Sequence, residues 1–415
     1  MEPLQLVKSR KEWLFLLLGL FSLFLLHLSY FYLQYKHITQ EEIYQDIYTI
    51  KNIYQKDKYK VIKLKNDTLT YYTSINNDLN ITQLQKVSIF FITNNLSFLE
   101  YLKGFYRPSF DITIINSSHY QNSMIQSINK QHSNIDISSI YKALFLAVPL
   151  PKHISEKNAQ FGVAHLFAIS GFHLGILLAF IYYLLNKIYK PIHKKYLPYR
   201  NKRYDILIIS SILIFSYLIY IDFVPSFLRS FVMFILAIIF LRANIKLLSF
   251  DTLFLTFLII LVLFPHLLFS LSLWFSLFGV FYIFLFLHYF SNLNKILQFI
   301  LFNIFIFASM NPIVHYFFSV TSYEQLLSPL FTVIFSLFYP LSLFAHFFGI
   351  GYVFDFILEY YLNYQTNSFY TSTPIYIFIL FIFISLLSIW YKKSFYFFLV
   401  FITFFNSYLY IFSNY

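Results

Sequence analysis

The stretch Leu207–Phe240, LIISSILIFSYLIYIDFVPSFLRSFVMFILAIIF, decides the fold class. Its two charged residues, Asp222 and Arg229, sit between two apolar runs. Each run approaches the length that crosses about 30 Å of hydrocarbon. An amphipathic surface helix keeps a polar face, and these runs have none. The same pattern recurs before and after, and spans are predicted near 13–35, 162–186, 204–222, 225–241, 247–264, 267–290, 296–318, 325–349, 373–391 and 394–412.

Composition agrees. Of 415 residues 59% are hydrophobic, 23% aromatic and 12% charged, where soluble proteins carry about 25% charged residues. There is no cysteine, so neither disulfides nor thiolate metal sites can form. The net charge of +12 is unevenly placed. Seven basic residues (Lys187, Lys190, Lys194, Lys195, Arg200, Lys202 and Arg203) crowd one loop between spans, as the positive-inside rule requires of a cytoplasmic loop facing anionic headgroups.

The run Trp13–Tyr35 follows Lys8, Arg10 and Lys11. It is too long for a signal-peptide core and reads as an uncleaved anchor with its N-terminus in the cytoplasm. Residues 36–160 are then extracytoplasmic. They hold 14 of the 30 basic and 10 of the 18 acidic residues. Lys58–Ile75 reads as two strands around a turn at Lys65-Asn66-Asp67. Lys86–Thr93 and Phe110–Ile115 read as further strands, which together suit a small β-barrel. Gln121–Lys157 reads as an amphipathic helix returning to the membrane.

The fold class expected is an all-α polytopic membrane protein of about nine to eleven helices, with a β-rich, OB-like domain after the first. Four segments are expected: 1–35, tail and anchor; 36–160, extracytoplasmic domain; 161–349, membrane core; 350–415, an interfacial segment (Asp355–Tyr370) and the last spans. Alternating crossings place Lys392 and Lys393 outside, against the charge rule. Something between 311 and 372 must break the count, and Pro312, Pro329 and Pro340 are natural places for a broken or re-entrant helix.

Polar groups inside spans are the functional candidates, because each is costly to bury. Phe161–Leu177, FGVAHLFAISGFHLGIL, is the richest stretch. Read as one apolar helix, it carries His165, Ser170, Gly171, His173 and Gly175. Ser170 and His173 share a face. Gly171 and Gly175 form a small-xxx-small pair that admits a close neighbour. His165 and His173 lie about 80° apart at 3.6 residues per turn. This stripe suits a hydrated path; ordinary helix packing with hydrogen-bonded histidines is the alternative. Arg229, about one turn into its span, snorkels, pairs with Asp222 or meets an anion. Asp251 follows Arg242 and Lys246 and suits a salt bridge at the membrane edge. Ser270, Ser272 and Ser276 can hydrogen-bond across helices. His27, His266, His288, His315 and His346 receive no role. Motifs for zinc proteolysis, ATP binding and the nucleophile elbow are absent, so active transport would need a separate motor. No metal and no cofactor is expected.

The HLFAISGFHLG stretch resembles the ComEC family of competence proteins, whose members carry a segment close to AHLLAISGLHVGLL. The matching residues are Ala164, His165, Leu166, Ala168, Ile169, Ser170, Gly171, His173, Leu174 and Gly175. Pro225–Phe234 is similar to the family's arginine-then-methionine segment, with Arg229 and Met233 in those places. Asp251 matches an acidic residue before the next span, and Leu273–Val280 puts Ser276 on a family serine. Tyr323–Pro340 resembles a late segment more weakly. The resemblance implies an inner-membrane channel, not an enzyme, that passes single-stranded DNA into the cytoplasm during transformation. His165, Ser170, Gly171, His173, Gly175, Asp222, Arg229, Asp251 and Ser276 would lie near the DNA path. It implies as partners single-stranded DNA, the bilayer, a periplasmic DNA-binding receptor and a cytoplasmic motor or helicase, and leaves a homo-oligomer open. Many members end in a metallo-β-lactamase-like domain. This sequence stops at Tyr415 without an HxHxDH cluster, so a short form is expected. Two other classes stay open: a membrane glycosyltransferase or polysaccharide ligase using Glu41 and Glu42 beyond the first span, and a small-molecule transporter, for which inverted repeats are not evident.

Overall fold

A computed structural model describes residues 9–66, 69–77, 79, 81–115 and 122–412. The anchor is helix α1, Arg10–Ile38, begun by Ser9, whose side chain accepts from the Glu12 amide. The chain then forms strands β1 (Ile43–Gln55), β2 (Tyr59–Lys65), β3 (Thr70–Asn76) and β4 (Lys86–Ile92), helix α2 (Phe98–Lys103), and strands β5 (Phe105–Tyr106) and β6 (Ser109–Ile115). The expected strands are present, while Asp67 of the expected turn lies outside the described residues. Strand β1 was not expected. Its alternation breaks at a register shift between Ile50 and Asn52, and that shift lets one bent strand serve two partners. Thr49 pairs with Lys65 on β2 and with Lys86 on β4.

The run 105–115 closes the sheet. Its first part pairs parallel with β3 and its second antiparallel with β4, and Thr73 and Ser109 hydroxyls meet at 2.7 Å. Alternate residues of each strand point inward, giving a core of Tyr48, Ile50, Leu64, Tyr71, Ile89 and Phe91. Burying each such side chain contributes about 1.5–3 kcal/mol. The end of α1 belongs to this unit: Tyr35 donates to the Leu96 carbonyl at 2.6 Å and packs on Phe98 and Tyr101. Leu255–Ser270 belongs to it as well.

The second compact unit holds Ile128–Phe254 and the chain from Leu271 onward. Helices α3 (Asn122–Gln131), α4 (Ile135–Leu146) and α5 (Lys152–Gln160) replace the single amphipathic helix expected over 121–157. Asn134 caps α4, and Pro149 and Pro151 forbid continuation into α5. Then follow α6 (Ala164–Phe167), α7 (Gly171–Tyr196), α8 (Lys202–Tyr220), α9 (Pro225–Arg242), α10 (Phe250–Leu263), α11 (Leu271–Phe290), α12 (Lys295–Phe317), strand β7 (Val320–Ser322), α13 (Ser328–Phe347), α14 (Asp355–Asn363), strand β8 (Ser368–Tyr370), α15 (Ile375–Leu387) and α16 (Lys392–Ser407). Among the described residues eight helices are long and apolar enough to cross a membrane. Helices α10 and α15, with 14 and 13 residues, are shorter, about 20 Å at 1.5 Å per residue.

Two prolines behave differently from expectation. Helix α12 runs through Pro312 and α13 through Pro340, while Pro329 sits at the start of α13, where a missing amide costs nothing. Pro312 cannot bond the carbonyl four residues back, that of Ala308. Asn406 on α16 donates to that oxygen instead, at 3.1 Å. The helix stays continuous because a neighbour supplies the missing donor.

Strand β7 follows α12, strand β8 precedes α15, and the two pair antiparallel from Val320↔Tyr370 to Ser322↔Ser368. The segment between them, including α13 and α14, therefore leaves and returns at one place.

Candidate functional site

The site is built where the expected long helix breaks. Helix α5 ends at Phe161, and Gly162 takes a left-handed conformation (φ +65°) against Gln325 and Ser328. Three carbonyls at this end are claimed by side chains. Gln325 donates to Ala159 at 3.0 Å, Ser322 to Gln160, and Ser328 to Gly162 at 2.8 Å. Backbone without helical bonds is tolerated in an apolar setting only when protein groups satisfy it in this way.

After the short α6, Ala168 is extended and Ser170 caps α7. Ser170 accepts from the Phe172 amide at 3.3 Å, and His173 accepts the Ser170 amide on Nδ1 at 3.2 Å. This is a capping box with histidine in the position usually held by Glu or Gln. His165 and His173 are consequently on different elements, which corrects the one-helix reading of Phe161–Leu177. Ser170 and Gly171 stop any helix entering from the N-terminal side. The two imidazoles remain close enough to interact electrostatically, and His165 lies 3.4 Å from the Thr332 hydroxyl of α13.

The capping bond also fixes the tautomer. Nδ1 of His173 accepts, so the neutral ring carries its proton on Nε2. The ring stands edge-on to Tyr339, centroids 4.7 Å apart. His173 is fully buried. It packs α7 against α13 and does not line open space. His165, Gly171 and Gly175 are exposed, Ser170 is half-buried, and a Cβ on Gly175 would meet nothing within 4 Å.

Helix α9 lies against α7 through serines. Ser226 donates to the Ile169 carbonyl at 2.5 Å, and the Ser230 hydroxyl would be 2.8 Å from a Cβ on Gly171. Gly171 is thus needed for that close approach. Between these serines Arg229 turns toward α11, where Nη1 donates to Ser272 Oγ at 2.7 Å. Asp222 sits with Phe223 in a left-handed turn before α9. Arg229 is 4% exposed and its Nε meets no acceptor. A buried guanidinium using so few of its five donors is costly, which makes it the strongest candidate for an anion.

Asp251 is exposed in the first turn of α10 and makes no ion pair among the described residues. The expected edge salt bridge is replaced by a favourable position at a helix N-terminus. Ser276 is half-buried one turn beyond Ser272. A groove of about 570 Å³ opens elsewhere, between α12 and α16, over Phe305, Asn406 and Tyr410. The roles of Ser226, Ser230, Thr332 and Tyr339 were not read from sequence. For the two α9 serines the signal was their four-residue spacing around Arg229.

A family model described as Competence protein matches residues 148–413, well over half of the chain and all the site residues above. The chain belongs to the ComEC competence family. Comparison with curated proteins and with solved structures gives no match. Membership associates the chain with DNA uptake in transformation, and the eight long apolar helices among the described residues mark a multi-pass membrane protein.

Proposed function

We propose that the chain is the inner-membrane conduit through which one DNA strand enters the cytoplasm, acting by passage and not by catalysis. The observation that carries this reading is Arg229, a buried cation with unused donors, inside the part of the chain shared with the competence family. A single strand presents one phosphate per nucleotide, and a conduit must hold phosphates weakly enough to release them. One guanidinium beside serines and small residues meets that need. The path would run past His165, Ser170, Gly171 and Gly175, with Asp222, Asp251 and Ser276 near its ends. His173 would support the wall from behind.

The orientation proposed places the N-terminus in the cytoplasm and the barrel outside. The barrel's closed strand ring supports the OB-like reading. Its outward face carries Lys63 over the Tyr72 ring at 5.7 Å and Phe90 stacked on Phe110, a surface that suits stacking of single-strand bases. Because β7 and β8 pair, the 320–370 excursion adds no net crossing. Lys392 and Lys393 then fall in the cytoplasm, in accord with the charge rule. A periplasmic DNA receptor and a cytoplasmic motor or helicase are the partners proposed.

The test is transformation. Arg229→Ala and Gly175→Leu should each abolish arrival of DNA in the cytoplasm and leave binding at the cell surface intact. Normal transformation by a well-expressed double variant would remove the site assignment.

A further inference from the structure

Asp355, His132 and His346 form a hydrogen-bonded chain that the conduit does not use. His132 lies between α3 and α4, His346 in the last turn of α13, and Asp355 in the first turn of α14. His346 Nδ1 is 2.6 Å from the Ser342 carbonyl. A carbonyl only accepts, so Nδ1 carries a hydrogen, and Nε2 of the neutral ring is a bare lone pair. His132 Nε2 lies 2.8 Å from it. The other nitrogen of His132 lies 2.8 and 3.0 Å from the two oxygens of Asp355.

Three contacts need three protons, and two neutral imidazoles bring two. The chain therefore holds one proton more than two neutral histidines and a carboxylate, and with it the cluster is electrically neutral. Without it, either two lone pairs face each other at 2.8 Å or a lone pair faces a carboxylate. Among the described residues no other donor stands ready. Gly351 covers His346 so closely that a Cβ would be 2.7 Å from Nε2. Gln131 is engaged with the Gly351 amide and the His346 carbonyl. The Tyr141 ring stacks on His132 at 4.6 Å, and its buried hydroxyl makes no hydrogen bond. These are the groups that face the chain from α4, α13 and α14. No three His, Asp or Glu side chains among the described residues, these included, are placed to hold a metal ion.

We propose that Asp355, His132 and His346 are a proton-bridged latch that fastens the α13–α14 excursion to the start of α4, and that loss of the bridging proton frees it. Two turns before His346, Tyr339 packs on His173, and Phe335 packs on the same ring. The latch thus governs how firmly α13 backs the start of α7. Its meaning for transport rests on the conduit reading; its existence does not.

The sign follows from proton counting. The latched cluster, as counted above, holds one proton more than two neutral histidines and a carboxylate. Its stabilisation is present at lower pH and lost as pH rises. The experiment is hydrogen exchange of α13 amides in the full-length protein in lipid nanodiscs, read as protection factors between about pH 6 and about pH 9, a range chosen to bracket histidine titration. Protection should hold at the acid end and then fall by up to about tenfold per pH unit over the range in which the latched state keeps the proton and the released state does not. Gly351→Ala, whose methyl intrudes on His346 Nε2, should lower protection and remove the pH step. A flat wild-type profile overturns the latch, as does protection that a chelator abolishes, which would put a metal in the proton's place. DNA uptake is not read here, so failure of the conduit leaves this result standing.

Discussion

Arg229 reaches from α9 to α11 and donates from Nη1 to Ser272 Oγ at 2.7 Å, the hydrogen bond that holds this guanidinium. Burying a charge with so little compensation lowers stability. The side chain is therefore better explained by what it binds than by what it holds together. Arg229→Met should leave the unfolding temperature in detergent unchanged or higher while DNA uptake falls at least tenfold. A marked loss of stability with uptake per folded molecule unchanged would assign Arg229 to structure.

Asn406 replaces the hydrogen bond that Pro312 denies to Ala308, and its Oδ1 accepts from Asn311 at 2.6 Å. Asn406→Leu leaves the Ala308 carbonyl unsatisfied and Asn311 with only its longer bond to the Tyr410 hydroxyl, 3.4 Å, and should cost about 1–3 kcal/mol. Pro312→Ala restores the amide donor, so in the Asn406→Leu background it should recover part of that loss. Additive effects in the double-mutant cycle would show that the two residues are not coupled.

The β7–β8 pairing makes a topological prediction. The chain has no native cysteine, so single introduced thiols report without background. Lys393→Cys should react with impermeant maleimide only from the cytoplasmic side, and Asn367→Cys only from outside. The reversed pattern, Asn367→Cys labelled from the cytoplasm and Lys393→Cys from outside, would mean that the excursion crosses the membrane.

Burial, with a smaller contribution from Lys65, lowers the Lys51 ammonium in the barrel to about 8. The unfolded chain then binds more protons than the folded one between about pH 8 and the ordinary lysine value, about 10.4. Barrel stability should rise over that window. Lys51→Met should protect the β1 and β4 amides most below about pH 8, with the gain vanishing toward the ordinary lysine range. A gain independent of pH would show that packing, not charge, is responsible.

Much of this was legible in the sequence for physical reasons that also mark the limits. Lipid-length apolar runs have no soluble alternative, so α1, α8, α9, α11 and α12 fall close to the expected spans. The α6–α7 break was misread because apolar periodicity outweighed a local signal, Ser170 followed by Gly171 with His173 in the capping position. Strand β1 was hidden by the shift at Ile50–Asn52 that lets it bend. The partners of Arg229 and His346 were out of reach. Ser272 and His132 are distant in sequence, and only the packing of α9 on α11 and of α13 beside α4 brings them together. The charges at Lys392 and Lys393 pointed to the stretch between 311 and 372, which is where β7 and β8 pair.

The central claim is tested most directly by deleting the gene cleanly and scoring labelled DNA separately outside and inside the cytoplasmic membrane. The conduit account predicts that DNA still accumulates outside while none reaches the cytoplasm, and that restoring the intact chain restores entry. Undiminished cytoplasmic DNA in the deletion strain would contradict it.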